Sequence, residues 1–200
     1  MTPEVSEEPA VAQPKIGLSK QLLVFVAMSM LALLLIYLQQ SSVERIFKAG
    51  QPPALQMGFG LAAGACSALM AWVAYKLQKS NVSTRSVVTS YSRLELSGFN
   101  PVLLALAAGF GEELLFRAAL QPLLGVLLAS LIFVVAHVRA YQMKALTRTT
   151  LVQASGLFAS GIFLGLIFQY VGLIAAIFVH VSIDIAGLYT VRCASSRTAD

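Results

Sequence analysis

The chain has 200 residues, of which 58% are hydrophobic and 12% charged, with a mean hydropathy of +0.78. That composition excludes a soluble globular domain and describes an integral, multi-pass membrane protein whose partner is the lipid bilayer. The net charge of +5 does not point to nucleic acid, because the basic residues are spread through short loops between apolar runs, where they act as orientation signals.

Residues 1–18 are acidic and contain proline, which reads as a disordered cytoplasmic tail rather than a secretory signal. Six apolar segments follow, at 20–38, 54–77, 101–120, 123–138, 152–170 and 172–191. A spanning helix needs about 20 residues. The expected fold class is therefore all-α: a polytopic membrane bundle of about six transmembrane helices, forming one domain over 19–192, with a short tail at 193–200. Residues 78–100 form a polar linker, Gln121 and Pro122 a sharp break, and 139–150 a basic loop or interfacial turn. With the N-terminus inside, eleven of the 14 Lys and Arg residues fall on the same side, so both termini are expected in the cytoplasm.

Gly60 and Gly64, and again Gly161 and Gly165, stand four apart, a spacing that lets neighbouring membrane helices approach closely. Cys66 and Cys193 have neither paired nor metal-ligand spacing, so no disulfide framework is implied.

Ionisable side chains within hydrocarbon cost several kcal/mol unless they face the bundle interior and find partners. Here they are Glu112, Glu113 and Arg117 in the third segment, His137 at the end of the fourth, and His180 and Asp184 in the sixth. Glu113 and Arg117 are four apart in the acid-first order that favours an ion pair, which reads as architectural. Glu112 points about 100° away around the helix and is left free for another task. His180 and Asp184 also share a face, so the aspartate could fix the imidazole tautomer or join it in holding a water, a metal or an oxyanion. A lone intramembrane histidine is usually interhelical glue. Both histidines of the sequence fall in apolar segments, and together with a free glutamate and an aspartate in such segments they favour a site.

These residues form EExxxR (Glu112, Glu113, Arg117), FxxxH (Phe133, His137) and HxxxD (His180, Asp184) in order on separate segments. The set resembles the CPBP family of CAAX-type prenyl-protein endopeptidases and bacterial homologues, also called the Abi family, over residues 101–188. The resemblance implies a glutamate-dependent intramembrane protease with its site in a helical cavity. It implies Glu112 as general base, His137 as a second holder of the attacking water, and Glu113 with Arg117 as the supporting pair. Phe133 also supports the site, and His180 with position 184 stabilises the oxyanion. Family members with asparagine at that last position have a ready donor. An ionised Asp184 only accepts, so it must be protonated, orient His180 or bind something positive.

The expected chemistry needs no cofactor, since a desolvated glutamate can take a proton from water near neutral pH. Two imidazoles with carboxylates also form a Zn²⁺ donor set, and with zinc present the ligands would be Glu112, His137, His180 and Asp184. One tension is geometric. Glu112 lies about 15–18 Å into its helix while His137 ends a short one, so tilt or a later helix start must bring them level.

The expected function is thus an intramembrane endopeptidase that cleaves near the C-terminus or a membrane segment of a protein or peptide substrate, one that is lipid-modified or membrane-anchored. The expected location is a bacterial inner membrane. The alternative is a non-catalytic membrane protein of the same fold, with a bacteriocin-immunity or scaffold role. A proton-relay transporter fits less well, because the chain lacks inverted halves.

Overall fold

The structure, a computed structural model, describes residues 15–143 and 145–196. Most of the acidic N-terminal segment and the last four residues lie outside the described residues. The helices are α1 (Leu18–Leu38), α2 (Val43–Lys48), α3 (Pro53–Gln78), α4 (Val82–Tyr91), α5 (Asn100–Glu113), a π-helical segment (Leu114–Leu120), α6 (Gln121–His137), α7 (Arg148–Tyr170) and α8 (Leu173–Ser196). Among the described residues the only β pairing is an isolated bridge between Ile16 and Leu94. The all-α expectation holds.

Five stretches are long and apolar enough to cross a membrane, and one of them, Asn100–His137, is 38 residues long. At 1.5 Å per residue it would span nearly two bilayer thicknesses if straight. It is not straight. Glu112 meets His137 at 3.5 Å, and the rings of Phe116 and Phe133 lie 5.2 Å apart. Both pairs are centred between residues 124 and 125, so the stretch is an antiparallel hairpin. Gly125, at φ 75° and ψ 170°, makes the reversal, a conformation essentially restricted to glycine.

The break expected at Gln121 and Pro122 therefore falls three residues later. The helix passes through Pro122 because the preceding turn is π-helical, and the wider turn relieves the clash between a proline ring and the carbonyl four residues before it. This resolves the difference in depth. Glu112 and His137 each lie about 12 residues, roughly 18 Å, from the hairpin tip. The third helix ends later rather than starting later.

Helix α8 is central, packing against α3, α5 and α7. The small-residue spacing acts as expected, since a Cβ on Gly60 would come within 3.0 Å of the Ala175 carbonyl oxygen, and one on Gly64 within 3.2 Å of that of Phe178. Gly161 and Gly165 make the same close approach to Ser130 and Gln121 of α6. At the start of α8 the fully buried Gln56 accepts from the Ile174 N–H at 3.0 Å and donates to the Ala49 and Gln51 carbonyls, which satisfies a helix end within the bundle. Outward, α1 and α3 present Leu23, Val24, Leu34, Leu61, Leu69 and Met70, an apolar surface suited to lipid rather than water.

The polar stretch 78–100 is not an extended linker, because the Asn81 side chain caps α4 by accepting from the Ser83 N–H at 2.9 Å. Val88 and Tyr91 on that helix then pack against a buried cluster that includes Leu104, Val181 and Leu188. A short polar helix is thereby seated against the bundle, close to the charged groups described next.

Candidate active site

The third and fourth segments bring their charged residues together because the hairpin sets their register. Glu113 and Arg117 flank the start of the π-helical turn and are fully buried, and the Arg117 Nε–H donates to Glu113 Oε2 at 3.2 Å. The two terminal nitrogens of Arg117 have no hydrogen-bond partner among the described residues. The guanidinium instead lies 5.4 Å from the Phe133 ring, whose π face partly offsets its desolvation.

Glu113 uses its other oxygen on α8. Oε1 sits 2.7 Å from His180 Nδ1, and a carboxylate paired with arginine accepts, so Nδ1 carries the proton. The residue that fixes the His180 tautomer is therefore Glu113, from another helix. Asp184, its neighbour in sequence spacing, lies on the opposite nitrogen, with Oδ2 at 3.5 Å from Nε2.

His137 is oriented by its own helix. Its Nδ1–H donates to the Phe133 carbonyl at 2.8 Å, and the two rings lie 4.3 Å apart. Phe133 thus supports both histidine and arginine, and it is itself 3% exposed. With Nδ1 committed on both imidazoles, both rings turn Nε2 inward.

Both inward nitrogens face one atom. Glu112 Oε2 lies 3.5 Å from His137 Nε2 and 3.9 Å from His180 Nε2, and it has no direct hydrogen-bond partner among the described residues. Such separations are those that a bridging water spans. Three acceptors around one point require protons, and a water supplies two while a proton on Glu112 or an imidazole supplies the third. The cluster can therefore hold a water, polarise it and take its proton. Glu112 and His180 are each 7% exposed, while the Asp184 side chain at 32% marks the open side.

All the residues singled out in the sequence are brought together here: Glu112, Glu113, Arg117, Phe133, His137, His180 and Asp184. As for a metal, no group of three or more His, Cys, Asp or Glu side chains among the described residues is arranged to hold one.

Two residues escaped the sequence reading. The Tyr141 ring lies 6.1 Å from His137 and 5.2 Å, edge-on, from Tyr91 of α4. Burial raises the Tyr141 phenol to about 12; a hydrogen bond with Tyr91 works against that rise, and the Asp184 and Glu112 carboxylates add to it. Tyr91 is pushed well above its ordinary value by burial first, then by Tyr141 and the same two carboxylates. The one available signal was spacing, since Phe133, His137 and Tyr141 follow at intervals of four.

Residues 96–186 match a family model described as type II CAAX prenyl endopeptidase, Rce1-like. No curated protein and no solved structure matches the chain.

Proposed function

We propose that this chain, a member of the CPBP or CAAX protease family over residues 96–186, is an intramembrane endopeptidase in which Glu112 activates the attacking water. One observation carries the reading: Glu112 Oε2 and the Nε2 atoms of His137 and His180 face a common point from three helices at 3.5 and 3.9 Å.

Glu112 takes a proton from water as the oxygen attacks the scissile carbonyl carbon, and it returns that proton to the departing amide nitrogen. His137 helps hold the water, and His180, with Asp184 beside it, stabilises the oxyanion that forms. Glu113 and Arg117 hold His180 in the tautomer that leaves Nε2 inward. No step is routed through a metal.

The substrate is a protein or peptide held at the membrane. A C-terminal tail, lipid-modified or otherwise anchored, reaches the site from the side of Asp184. We place both termini and that side in the cytoplasm, from the distribution of Lys and Arg.

The test is proteolysis by purified protein in detergent or proteoliposomes, using an internally quenched CAAX peptide with and without a farnesyl group. Glu112→Gln and His180→Ala are expected to abolish cleavage while the protein still accumulates and folds. Intact cleavage by Glu112→Gln would overturn the reading.

A further inference from the structure

Asp184 marks the open side of the cluster, and the end of α4 builds the wall beside it. Tyr91 and Leu94 pack against a buried cluster that includes Val181 and Leu188. These two residues lie three before and four after Asp184, on the same face of α8. The Tyr91 ring also reaches the His137 ring through Tyr141, in two steps of 5.2 and 6.1 Å. Arg93 stands in sequence between these two anchors.

The backbone of Arg93 is pinned while its side chain is unengaged. Its carbonyl accepts from the Ile16 N–H at 2.8 Å, and the Glu95 N–H donates to the Ile16 carbonyl at 3.2 Å. Arg93 is partly buried, its Nε is buried without a hydrogen-bond partner, and no carboxylate among the described residues pairs with it. A guanidinium withdrawn from water without a counter-charge is costly, and its planar fork of donors fits a carboxylate. Arg192, further along α8, is already engaged. Its Nη1 donates to the Gly98 carbonyl at 2.9 Å, and its guanidinium lies 5.8 Å from the Tyr189 ring.

A protein cut close to its C-terminus carries a free carboxylate a few residues beyond the scissile bond. Three extended residues reach about 10 Å, comparable to the two ring steps from His137 to Tyr91. Asp184 and Glu112 are acidic, so a carboxylate entering on this side needs a cation beside its path. Arg93 borders that side rather than the outward apolar faces of α1 and α3.

We propose that Arg93 binds the free C-terminal carboxylate of the substrate as a bidentate pair and so selects tails that end a few residues past the cut. The inference rests on the endopeptidase reading above and narrows its substrate class. Anchoring the chain end at a fixed distance from Glu112 decides which peptide bond meets the water. Arg93 is a specificity-determining residue and takes no part in proton transfer.

The experiment uses two farnesylated quenched peptides, with the quencher on a side chain, identical except that one ends in a free carboxylate and the other in an amide. Wild type, Arg93→Gln, Arg93→Lys and Glu112→Gln are compared on both. Wild type is expected to cleave the acid with kcat/KM about 10–100-fold above the amide, the worth of a hydrogen bond to a charged group, mainly through a lower KM. Arg93→Gln should lose this preference by losing the acid alone, with amide cleavage at the wild-type rate. Arg93→Lys should keep part of it, because an ammonium retains the charge without the fork. A purely structural role would slow both peptides equally, and a lipid phosphate held at Arg93 would leave the two peptides alike.

Equal cleavage of acid and amide by wild type overturns the inference and leaves the protease reading standing. A preference that survives in Arg93→Gln does the same. Cleavage by Glu112→Gln, or none of either peptide by wild type, removes the protease reading and this inference with it.

Discussion

Glu113 bridges Arg117 and His180, accepting from Arg117 Nε at 3.2 Å on one oxygen and from His180 Nδ1 at 2.7 Å on the other. The adjacent Glu112 has no such partners and faces the two inward imidazole nitrogens instead. Two glutamates next to each other in sequence therefore have opposite duties.

Stability separates them first. Glu113→Ala leaves a fully buried guanidinium without its counter-charge and is expected to destabilise the protein by about 3–5 kcal/mol. Thermal unfolding in detergent should show a large fall in Tm. Glu112→Gln, which removes no ion pair, should leave Tm close to wild type. Equal losses in the two variants would contradict this division.

Catalysis separates them in the other direction. Glu112→Gln keeps size and burial but removes the proposed base, so kcat should fall at least about 10²–10⁴-fold. The measurement is cleavage of the quenched peptide by folded, monodisperse protein.

Gly125 sets the hairpin register. Nothing lies within 4 Å of a Cβ added there, so Gly125→Ala tests backbone conformation alone and should destabilise by about 1–3 kcal/mol. Because Glu112 and His137 are level only through this turn, kcat should fall as well. Gly156→Ala, in a helix and also with open space around it, should be neutral or mildly stabilising. A matched pair of unfolding curves distinguishes the two.

The proposed glutamate base predicts the response to chelation. With Glu112 taking the water's proton and no step routed through a metal, cleavage should persist in excess phenanthroline. Elemental analysis of active protein should find well below one zinc per chain. Loss of activity on chelation, restored by added zinc, would contradict this expectation.

Alkaline pH probes Tyr141. Its folded pKa is raised from 10.0 to about 12, so its contribution to stability is complete below pH 10 and is lost as pH rises towards 12. Wild type should lose stability over that window more steeply than Tyr141→Phe, as read from unfolding midpoints against pH.

Most of the site's membership was legible in the sequence. Charged residues in apolar segments are few because hydrocarbon penalises them, so Glu112, Glu113, Arg117, His137, His180 and Asp184 stood out by their location. The ion pair of Glu113 with Arg117 was legible too, because both lie on one short stretch of helix. The orientation of His180 was not. Asp184 had the right spacing, yet Glu113, 67 residues away in sequence, holds Nδ1. Tyr91 carried no signal at all, since it lies in a polar stretch and reaches the site only because α4 docks on the bundle.

The sequence by itself determined the membrane helices, the small-residue faces of α3 and α7 and the pairings four residues apart, because helix periodicity fixes which neighbours share a face. Tertiary structure alone decided that the hairpin turns at Gly125, that Glu112 and His137 are level, and that two tyrosines from separate elements stand beside them. Those contacts join residues far apart in the chain. Their geometry follows from where a turn falls and how closely helices pack, and a shift of one residue in the turn would rotate every side chain beyond it by about 100°.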